Sequence, residues 1–351
     1  MSTAERLLEY LENREGDFVS GAEIAAALGV STTAVWKAAS KLREQGHQID
    51  AATNRGYRLV RTTKLSAAAI KKYYTSLNNS NEDAESNNSD SVPASGLKVE
   101  VFETVDSTNN VCQDRAARGE QEVYVAVSSH QSAGRGRQGR SFYSPFGTGL
   151  YMSILLRPQN MPASESLSLT TIAAVAVAQA IEQVTGRTAD IKWVNDIYMD
   201  GRKVCGILTE GSFNFETSAL DYAIVGIGIN VKTPDGGFPG EIRDTAGAIC
   251  DSNEDIDRSL LTAAVLRNFM HYYRELCANS GTVEYMDEYR KRCFVIGKQV
   301  DVLKPGADAT VATAIGLDNH CGLIVRNEDG SEDVLTSGEI RIRVPANGMK
   351  L

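Results

Sequence analysis

The chain has 351 residues, of which 42% are hydrophobic and 23% charged; this is ordinary for a globular protein and gives room for two or three domains. Its formal net charge of -9 excludes wholesale coating of nucleic acid, so any such binding requires a local basic patch. Six scattered cysteines, with no CxxC pair and no histidine cluster, argue against zinc and against a disulfide framework, and they favour reduced thiols.

The sequence shows no sign of export or of membrane insertion. Residues 1–11 carry Glu5, Arg6 and Glu9 and lack the continuous apolar stretch of a signal peptide. The most apolar helical stretch, residues 172–184, is too short and too rich in alanine to favour a membrane span. We therefore expect a cytoplasmic protein.

Residues 1–65 are predicted to form a winged helix-turn-helix domain. Residues 20–23 resemble a capping box before a second helix, and Gly29 marks the turn into a third. The Asn54-Arg55-Gly56 sequence is a hairpin turn signal, which supplies the wing. The predicted helices cover residues 6–11, 24–28 and 34–45.

Positive charge in this domain is concentrated on the third helix and the wing, the two elements that would face DNA. A small helical domain that only packs is the alternative, and Trp36 is either a surface residue or part of the core. The candidate DNA-binding residues are Thr32, Thr33, Trp36, Lys37, Lys41 and Arg55.

A linker is predicted over residues 66–96. Its part from 76 to 96 has four acids, no base and almost nothing to bury, so it cannot offset its ordering entropy. We interpret that part as a flexible tether.

Residues 97–296 are predicted to form an α/β domain, and residues 297–351 a smaller all-β domain. Short strands joined by tight turns in the first favour a mixed or mainly antiparallel sheet over a doubly wound one. Five short strands after Gly297 are typical of a barrel of SH3-like size. The predicted fold class is therefore α+β, with several domains.

Residues 134–140 place three glycines and three arginines in one loop between two apolar runs. Glycine lets backbone N–H groups approach a ligand closely, and arginine offers a planar fork for phosphate or carboxylate oxygens. A solvated basic loop and an RNA-binding Arg/Gly segment are the alternatives. The composition favours a loop that closes over an anion.

Three further stretches carry polar groups at the ends of elements. Residues 107–109 open a helix with two hydroxyls and an amide; residues 192–196 place a lysine before an Asn-Asp turn; and residues 226–230 end a strand with two glycines. The first two stretches have plain structural alternatives, a helix cap and an Asx-turn hairpin. The third lacks the last glycine of a dinucleotide-binding fingerprint, so it gives only weak support to that function.

These stretches, together with Gln131, residues 202–208 and residues 338–343, resemble the biotin protein ligase family in this order along the chain. The N-terminal domain makes the resemblance closest to the bifunctional type, a biotin-[acetyl-CoA-carboxylase] ligase that is also the biotin operon repressor. The resemblance covers the whole chain except the tether. It implies a class II synthetase-like biotin/lipoate ligase domain between the winged helix and the SH3-like barrel.

The resemblance implies a two-step reaction without a covalent enzyme nucleophile. Biotin and ATP, with Mg²⁺ carried by the nucleotide, would give biotinyl-5'-AMP, and a lysine of a biotin carboxyl carrier protein would then accept the biotin. It further implies operator DNA as a partner and a homodimer when ligand is bound. A lipoate ligase, and a DNA-binding regulator that only senses a ligand, are the alternatives.

The resemblance also assigns roles to individual residues. The catalytic residues would be Arg135, Arg137, Lys192 and Lys203. The biotin-binding residues would be Ser107, Thr108, Asn109, Gln131, Arg135, Gly136, Arg137, Lys203, Gly226 and Gly228. The ATP-binding residues would be Arg137, Arg140, Lys192, Asn195, Asp196, Asn230 and Arg343. Val194 stands where the family usually has proline, a departure that we expect to loosen the turn modestly without removing a ligand.

Overall fold

The computed structural model describes most of the chain. The described residues are 2–12, 14, 16–44, 47–61, 65–79, 96–121, 123–158, 161–162, 165–214, 216, 219–250, 256–278, 284–303, 308–336 and 338–343.

The N-terminal domain is a winged helix, as predicted. Ser20 caps the second helix by accepting a hydrogen bond from the Glu23 N–H at 3.1 Å, and Gly29 ends it in the left-handed region with φ 64°. Two backbone hydrogen bonds of 2.8 Å between Val19 and Tyr57 attach the wing to the helical core. The elements are α1 Thr3–Glu12, α2 Gly21–Leu28, α3 Thr32–Glu44, β1 Gln48–Ala52 and β2 Gly56–Arg61.

The segment predicted as a linker contains a helix, α4, over Ala67–Asn79. Its Ile70 and Tyr74 are fully buried in the core of the central domain. Only Ala69, Ile70 and Tyr74 of this helix are buried, so its apolar pattern is short and gives a weak signal in the sequence. The first four residues of the predicted tether are therefore helical, while its residues 80–95 lie outside the described part of the chain.

The central domain is built on a seven-stranded sheet whose strand order is β3-β4-β5-β9-β8-β7-β6. The β3–β4 pair is parallel and the other neighbouring pairs are antiparallel, which confirms the predicted mixed sheet. The strands are β3 Leu97–Phe102, β4 Val123–Ser128, β5 Gly149–Leu156, β6 Asp190–Lys192, β7 Asp196–Met199, β8 Arg202–Asn214 and β9 Ala219–Asn230. The helices are α5 Thr108–Ala117, α6 Ser166–Thr185, α7 Arg258–Cys277 and α8 Glu284–Arg292.

The two faces of the sheet have different coverings. Val125 and Val225 belong to the large core that includes α6 and α7, whereas Tyr124 and Ile224 pack with Cys112 of α5. This alternation follows from the two-residue period of a strand. Burial raises the pKa of the Cys112 thiol to about 12, so this cysteine behaves as a small apolar residue.

Helix α6 corrects one expectation from the sequence. It has 20 residues, and by length and composition alone it would suffice to cross a membrane, so the stretch is not too short for a span. However, 72% of its most apolar part is buried inside the protein. Its hydrophobicity is explained by its place in the core against α7 and the sheet.

The C-terminal strands form a five-stranded antiparallel sheet in the order β13-β12-β11-β10-β14. The indole N–H of Trp193 donates to the Cys321 carbonyl at 2.9 Å, which joins this sheet to the central domain. The strands are β10 Gln299–Leu303, β11 Thr310–Leu317, β12 Leu323–Asn327, β13 Glu332–Leu335 and β14 Glu339–Ile342.

Candidate active site

A cavity of about 430 Å³ opens on the α5 side of the central sheet. Strand β9 forms its floor, because Gly226, Gly228 and Asn230 lie on the same side of the strand as Ile224. A strand rises by about 3.3 Å per residue, so these three positions span roughly 13 Å. The cavity is therefore an elongated slot.

The two glycines of β9 are needed because side chains lie directly above them. A Cβ atom on Gly226 would collide with the amide of Asn109, and a Cβ atom on Gly228 would lie 2.5 Å from the Phe142 ring. Asn109 is only 4% exposed, and Phe142 packs edge-on against Tyr151 with a centroid distance of 6.4 Å. The slot thus has an amide at one end and an aromatic wall beside it.

Neutral hydrogen-bonding groups from three loops meet at the Asn109 end. The Gln131 side-chain oxygen accepts from the Thr108 N–H at 2.9 Å, and its amide nitrogen donates to the Ser144 hydroxyl at 3.0 Å. Ser107 and Thr108 are buried and line the cavity beside it. These contacts hold the polar groups at a fixed spacing in a dry environment, where hydrogen bonds orient a neutral polar ring most strictly.

The Gly/Arg loop is folded back on itself at the cavity. The Gly136 N–H donates to the Arg140 carbonyl at 2.7 Å, and a short 3-10 helix covers Arg137–Gly139. Arg137 donates to the Asn195 side-chain oxygen and to the Gly338 carbonyl, both at 3.1 Å. Because all three arginines line the cavity, the structure places the predicted loop where it can contact an anion.

Two lysines and an acid add charge to the slot. Lys203 pairs with Asp196 at 2.5 Å, and its side chain packs beside Gly206, the residue opposite Gly228 on the neighbouring strand. Lys192 also lines the cavity and is half-buried. Burial, with a smaller contribution from Asp196, raises the pKa of the nearby Tyr198 hydroxyl to about 12, so Tyr198 remains a neutral donor.

The segment after β9 covers the far end of the slot. The Asn230 amide donates to the Gly247 carbonyl at 3.0 Å, and Lys203 exchanges two backbone hydrogen bonds of 2.8 Å with Thr245 and Gly247. Ile242, Thr245 and Ala246 line the cavity from this segment. Asn230 therefore anchors a covering loop.

Arg343 is the one predicted cavity residue that the structure places elsewhere. Its Nε donates to Asp301 at 2.5 Å on the surface of the C-terminal sheet, and it does not line the cavity. Arg341, two residues earlier, lines the cavity instead. The two arginines belong to the same motif, and only the docking of the C-terminal sheet distinguishes them.

The sequence analysis does not identify two residues that shape the site. One is Phe142, whose ring covers Gly228. The other is Glu210, which pairs with Arg135 at 2.6 Å. Strand alternation places Glu210 on the same side of β8 as Gly206 and Leu208. This alternation is the feature of the sequence that could have identified Glu210 as a residue near the site.

The candidate DNA-binding residues lie on the surface of the winged helix. Thr32, Thr33, Lys37 and Lys41 are exposed on α3, and Trp36 is 56% exposed, which excludes it from the core. Arg55 stacks on Phe18 with its guanidinium carbon 4.3 Å from the ring centre. The structure thus brings five of these residues together on one helix and the sixth to the wing.

The fold and the cavity together define a class of protein. A winged helix is joined to a domain in which a slot combines neutral donors and acceptors with a ring of cations, as in an enzyme that activates a small acid with a nucleotide.

Comparison with known proteins narrows this class. The model of the biotin/lipoate A/B protein ligase family matches residues 101–230, an HTH domain model matches residues 3–58, and the biotin protein ligase C-terminal domain model matches residues 295–343. The chain is 32% identical over 342 residues to the bifunctional ligase/repressor BirA of Bacillus spizizenii, covering 94% of this chain and 96% of that protein. It is 27% identical over 344 residues to BirA of Escherichia coli, covering 96% of both.

A solved structure of biotin protein ligase from Aquifex aeolicus in complex with biotin and ATP is similar with a TM-score of 0.57 and 28% identity, covering 70% of this chain and 98% of that one. The chain belongs to the biotin protein ligase family, in its bifunctional ligase/repressor branch. The resemblance seen in the sequence is thereby confirmed.

Proposed function

We propose that this protein joins biotin to a lysine of a biotin carboxyl carrier protein at the expense of ATP, and that it represses transcription in response to biotin. The observation that carries the enzymatic part is the slot itself. Neutral groups held by Gln131 and Asn109 lie at one end, and the Gly/Arg loop, Lys192 and Lys203 surround the remainder. Such a slot fits a ligand with a neutral polar ring and a carboxylate tail.

The first step joins the biotin carboxylate to AMP. A carboxylate oxygen attacks the α-phosphorus of ATP, and pyrophosphate leaves with its negative charge. Lys203 and Arg137 are suited to this step because cations beside a transferring phosphoryl group stabilise the charge that develops there. Lys203 is held by Asp196 in this structure, so its ammonium is already placed at the wall of the slot.

The nucleotide would lie along the remaining cations. Arg140, Lys192, Asn195 and Asp196 line the slot, and Arg341 joins them from the C-terminal sheet. The Asn195 and Asp196 side chains carry oxygen atoms, which are the ligands that Mg²⁺ prefers. That ion would neutralise part of the phosphate charge. We assign no ATP contact to Arg343, whose guanidinium pairs with Asp301.

The second step transfers biotin to a carrier protein. The uncharged ε-amine of the acceptor lysine attacks the acyl carbon of the mixed anhydride, and the bond from that carbon to the phosphate oxygen breaks. AMP leaves with the electrons of that bond, and the nitrogen releases one proton to solvent as the amide forms. The loop that covers the anhydride must exclude water until this amine arrives, since hydrolysis is the competing reaction. The backbone hydrogen bond from the Gly136 N–H to the Arg140 carbonyl supports this role for the Gly/Arg loop, because it keeps the loop compact.

The DNA-binding part of the proposal rests on the winged helix. Lys37, Lys41 and Trp36 are exposed on α3, which is the helix that enters the major groove in such domains. We further propose that the ligand-bound protein forms a homodimer that spans two operator half-sites in the cytoplasm. Half-site spacing then follows from the separation of the two winged helices.

The decisive test is release of pyrophosphate from Mg-ATP. Biotin should stimulate release, lipoate should not, and addition of a carrier domain should give a biotinylated lysine detectable by mass spectrometry. Absence of pyrophosphate release and of adenylate with biotin would overturn the enzymatic proposal. Operator binding is tested separately by anisotropy with and without biotin and ATP, and an affinity that ligand leaves unchanged would overturn the repressor proposal.

A further inference from the structure

Glu210 lies between two functional parts of the cavity without lining it. Its Oε1 accepts a hydrogen bond from Arg135 of the Gly/Arg loop at 2.6 Å. Its Oε2 accepts a hydrogen bond from the Asn109 amide at 2.7 Å. It faces a second cavity of about 340 Å³ that shares Arg137, Ile207 and Leu208 with the first. One carboxylate thus joins the loop to the neutral end of the slot.

The Asn109 amide is fixed from both sides. Its oxygen accepts from the buried Ser153 hydroxyl at 2.6 Å, and its nitrogen donates to Glu210. The amide lies directly over Gly226, where there is no space for a Cβ atom. The Ser153 hydroxyl can both donate and accept, so it tolerates either orientation of the amide, whereas an ionised carboxylate only accepts. If the amide turned over, its oxygen would face the Glu210 carboxylate without a donor between them, so Glu210 determines which group faces a ligand.

Arg135 is engaged at both ends of its guanidinium group. One terminal nitrogen donates to the Asn110 side-chain oxygen at 2.8 Å and the other to Glu210. Asn109 and Asn110 are neighbours on α5, so the loop is attached to the same helix end that carries the neutral groups. Arg135 therefore braces the loop, while Arg137 reaches across the cavity towards Asn195.

We propose that Glu210 is a positioning residue that couples closure of the Gly/Arg loop to the orientation of the Asn109 amide, so that ring recognition and loop closure occur together. The inference rests on the proposed function, because the ligand whose ring meets Asn109 is taken to be biotin. Glu210 itself touches neither substrate. Its carboxylate provides two acceptors, which is the number that these two donors require.

The test is Glu210→Gln, which keeps the size of the side chain and replaces one acceptor by a donor. Either Arg135 or Asn109 then faces an N–H group and loses its partner. We expect the KM for biotin to rise about 10-fold, as for loss of a hydrogen bond to a charged group, with the KM for ATP changed less than about twofold. The matched control is Glu100→Gln, whose carboxylate pairs with Arg115 and Tyr124 away from the cavity.

A second readout does not depend on activity. Trypsin cleavage within residues 134–140, measured without ligand, should be about fivefold faster in Glu210→Gln, because the loop opens more often when the brace is weakened. A purely structural role would lower the melting temperature and the active fraction, and would leave the KM for biotin and the relative rate of loop cleavage unchanged.

The outcomes separate this inference from the proposed function. A parent protein that releases no pyrophosphate with biotin and ATP overturns the proposed function. A fully active parent, with a Glu210→Gln variant whose KM for biotin and loop cleavage equal those of Glu100→Gln, overturns the inference. The double variant Glu210→Gln/Asn109→Ala should raise the KM for biotin no further than Asn109→Ala alone, because both substitutions remove the same contact, the one between Glu210 and Asn109.

Discussion

The slot and the DNA-facing helix both use lysine and arginine, but they hold these residues in opposite ways. In the slot, Arg135, Arg137 and Lys203 each contact a named acceptor of the protein, so their charges are in place before a ligand arrives. On α3, Lys37 and Lys41 project into solvent. A small ligand offers few atoms and requires fixed partners, whereas a polyanion binds through the summed field of mobile charges.

Lys203→Ala is the strongest test of whether the fixed charges of the slot act in the reaction. Loss of the ammonium should lower the rate of adenylate formation about 100- to 1,000-fold, because a fixed charge at a developing oxyanion is worth that much in a water-poor site. The rate is measured by pyrophosphate release at saturating biotin and ATP. Lys98→Ala, which removes an ion pair with Glu120 outside the cavity, should be unchanged. Equal rates in Lys203→Ala and Lys98→Ala would show that Lys203 does not contribute to adenylate formation.

Gly226→Ala tests whether the slot is built to a fixed size. The added methyl group collides with the Asn109 amide and moves it, so biotin affinity should fall about 10- to 100-fold, which corresponds to the usual strain of overpacking. Isothermal titration without ATP gives this affinity. Gly240→Ala is the matched control, because no atom beyond its two neighbours in the chain lies within 4 Å of its added methyl group. Unaltered biotin binding by Gly226→Ala would contradict the described floor.

Arg137→Gly tests retention of the activated intermediate. Loss of the contacts to Asn195 and Gly338 should speed release of the adenylate about 10-fold, as expected for removal of a hydrogen bond from a charged group. The released anhydride should then label lysines of a bystander protein, detected by blotting. A variant that keeps the adenylate as tightly as the parent would show that Arg137 does not retain the intermediate.

Lys41→Ala should have the smallest effect, because on the DNA-facing helix each charge contributes separately. Affinity for operator DNA should fall a few-fold, and the slope of log K against log salt should become shallower by about 1. Fluorescence anisotropy over a salt series gives both numbers. Lys291→Ala, an exposed lysine of α8, is the control. A change in pyrophosphate release in Lys41→Ala would contradict the separation between the two regions.

The extent of sequence prediction differs between the elements. The winged helix was predicted closely because its signals are local: Ser20 and Gly29 bracket one helix, and Asn54 and Gly56 form the wing turn. Helix α4 was assigned to a linker because only three of its residues are buried, and they pack on a domain that begins later in the chain. Local patterns carry no information about such a partner.

The site shows the same division. Nearly all predicted cavity residues line the slot, because loops at the ends of neighbouring strands meet wherever the sheet is assembled correctly. Arg343 and Arg341 were indistinguishable in the sequence, and the ion pair with Asp301 separates them. Phe142 was not identified, because its role is contact with glycines 64 and 86 residues further along the chain, at Gly206 and Gly228.

The sequence by itself determined the domain order, the mixed sheet, the loop of glycines and arginines and the family, since each depends on residue types at short spacings. Tertiary structure alone decided which charged and polar side chains of the site pair with one another. Lys203 meets Asp196 across a strand pair, and Glu210 meets Asn109 and Arg135 across 101 and 75 residues. Ion pairs and hydrogen bonds act over a few ångströms, so their partners are determined only when the sheet brings distant segments of the chain together.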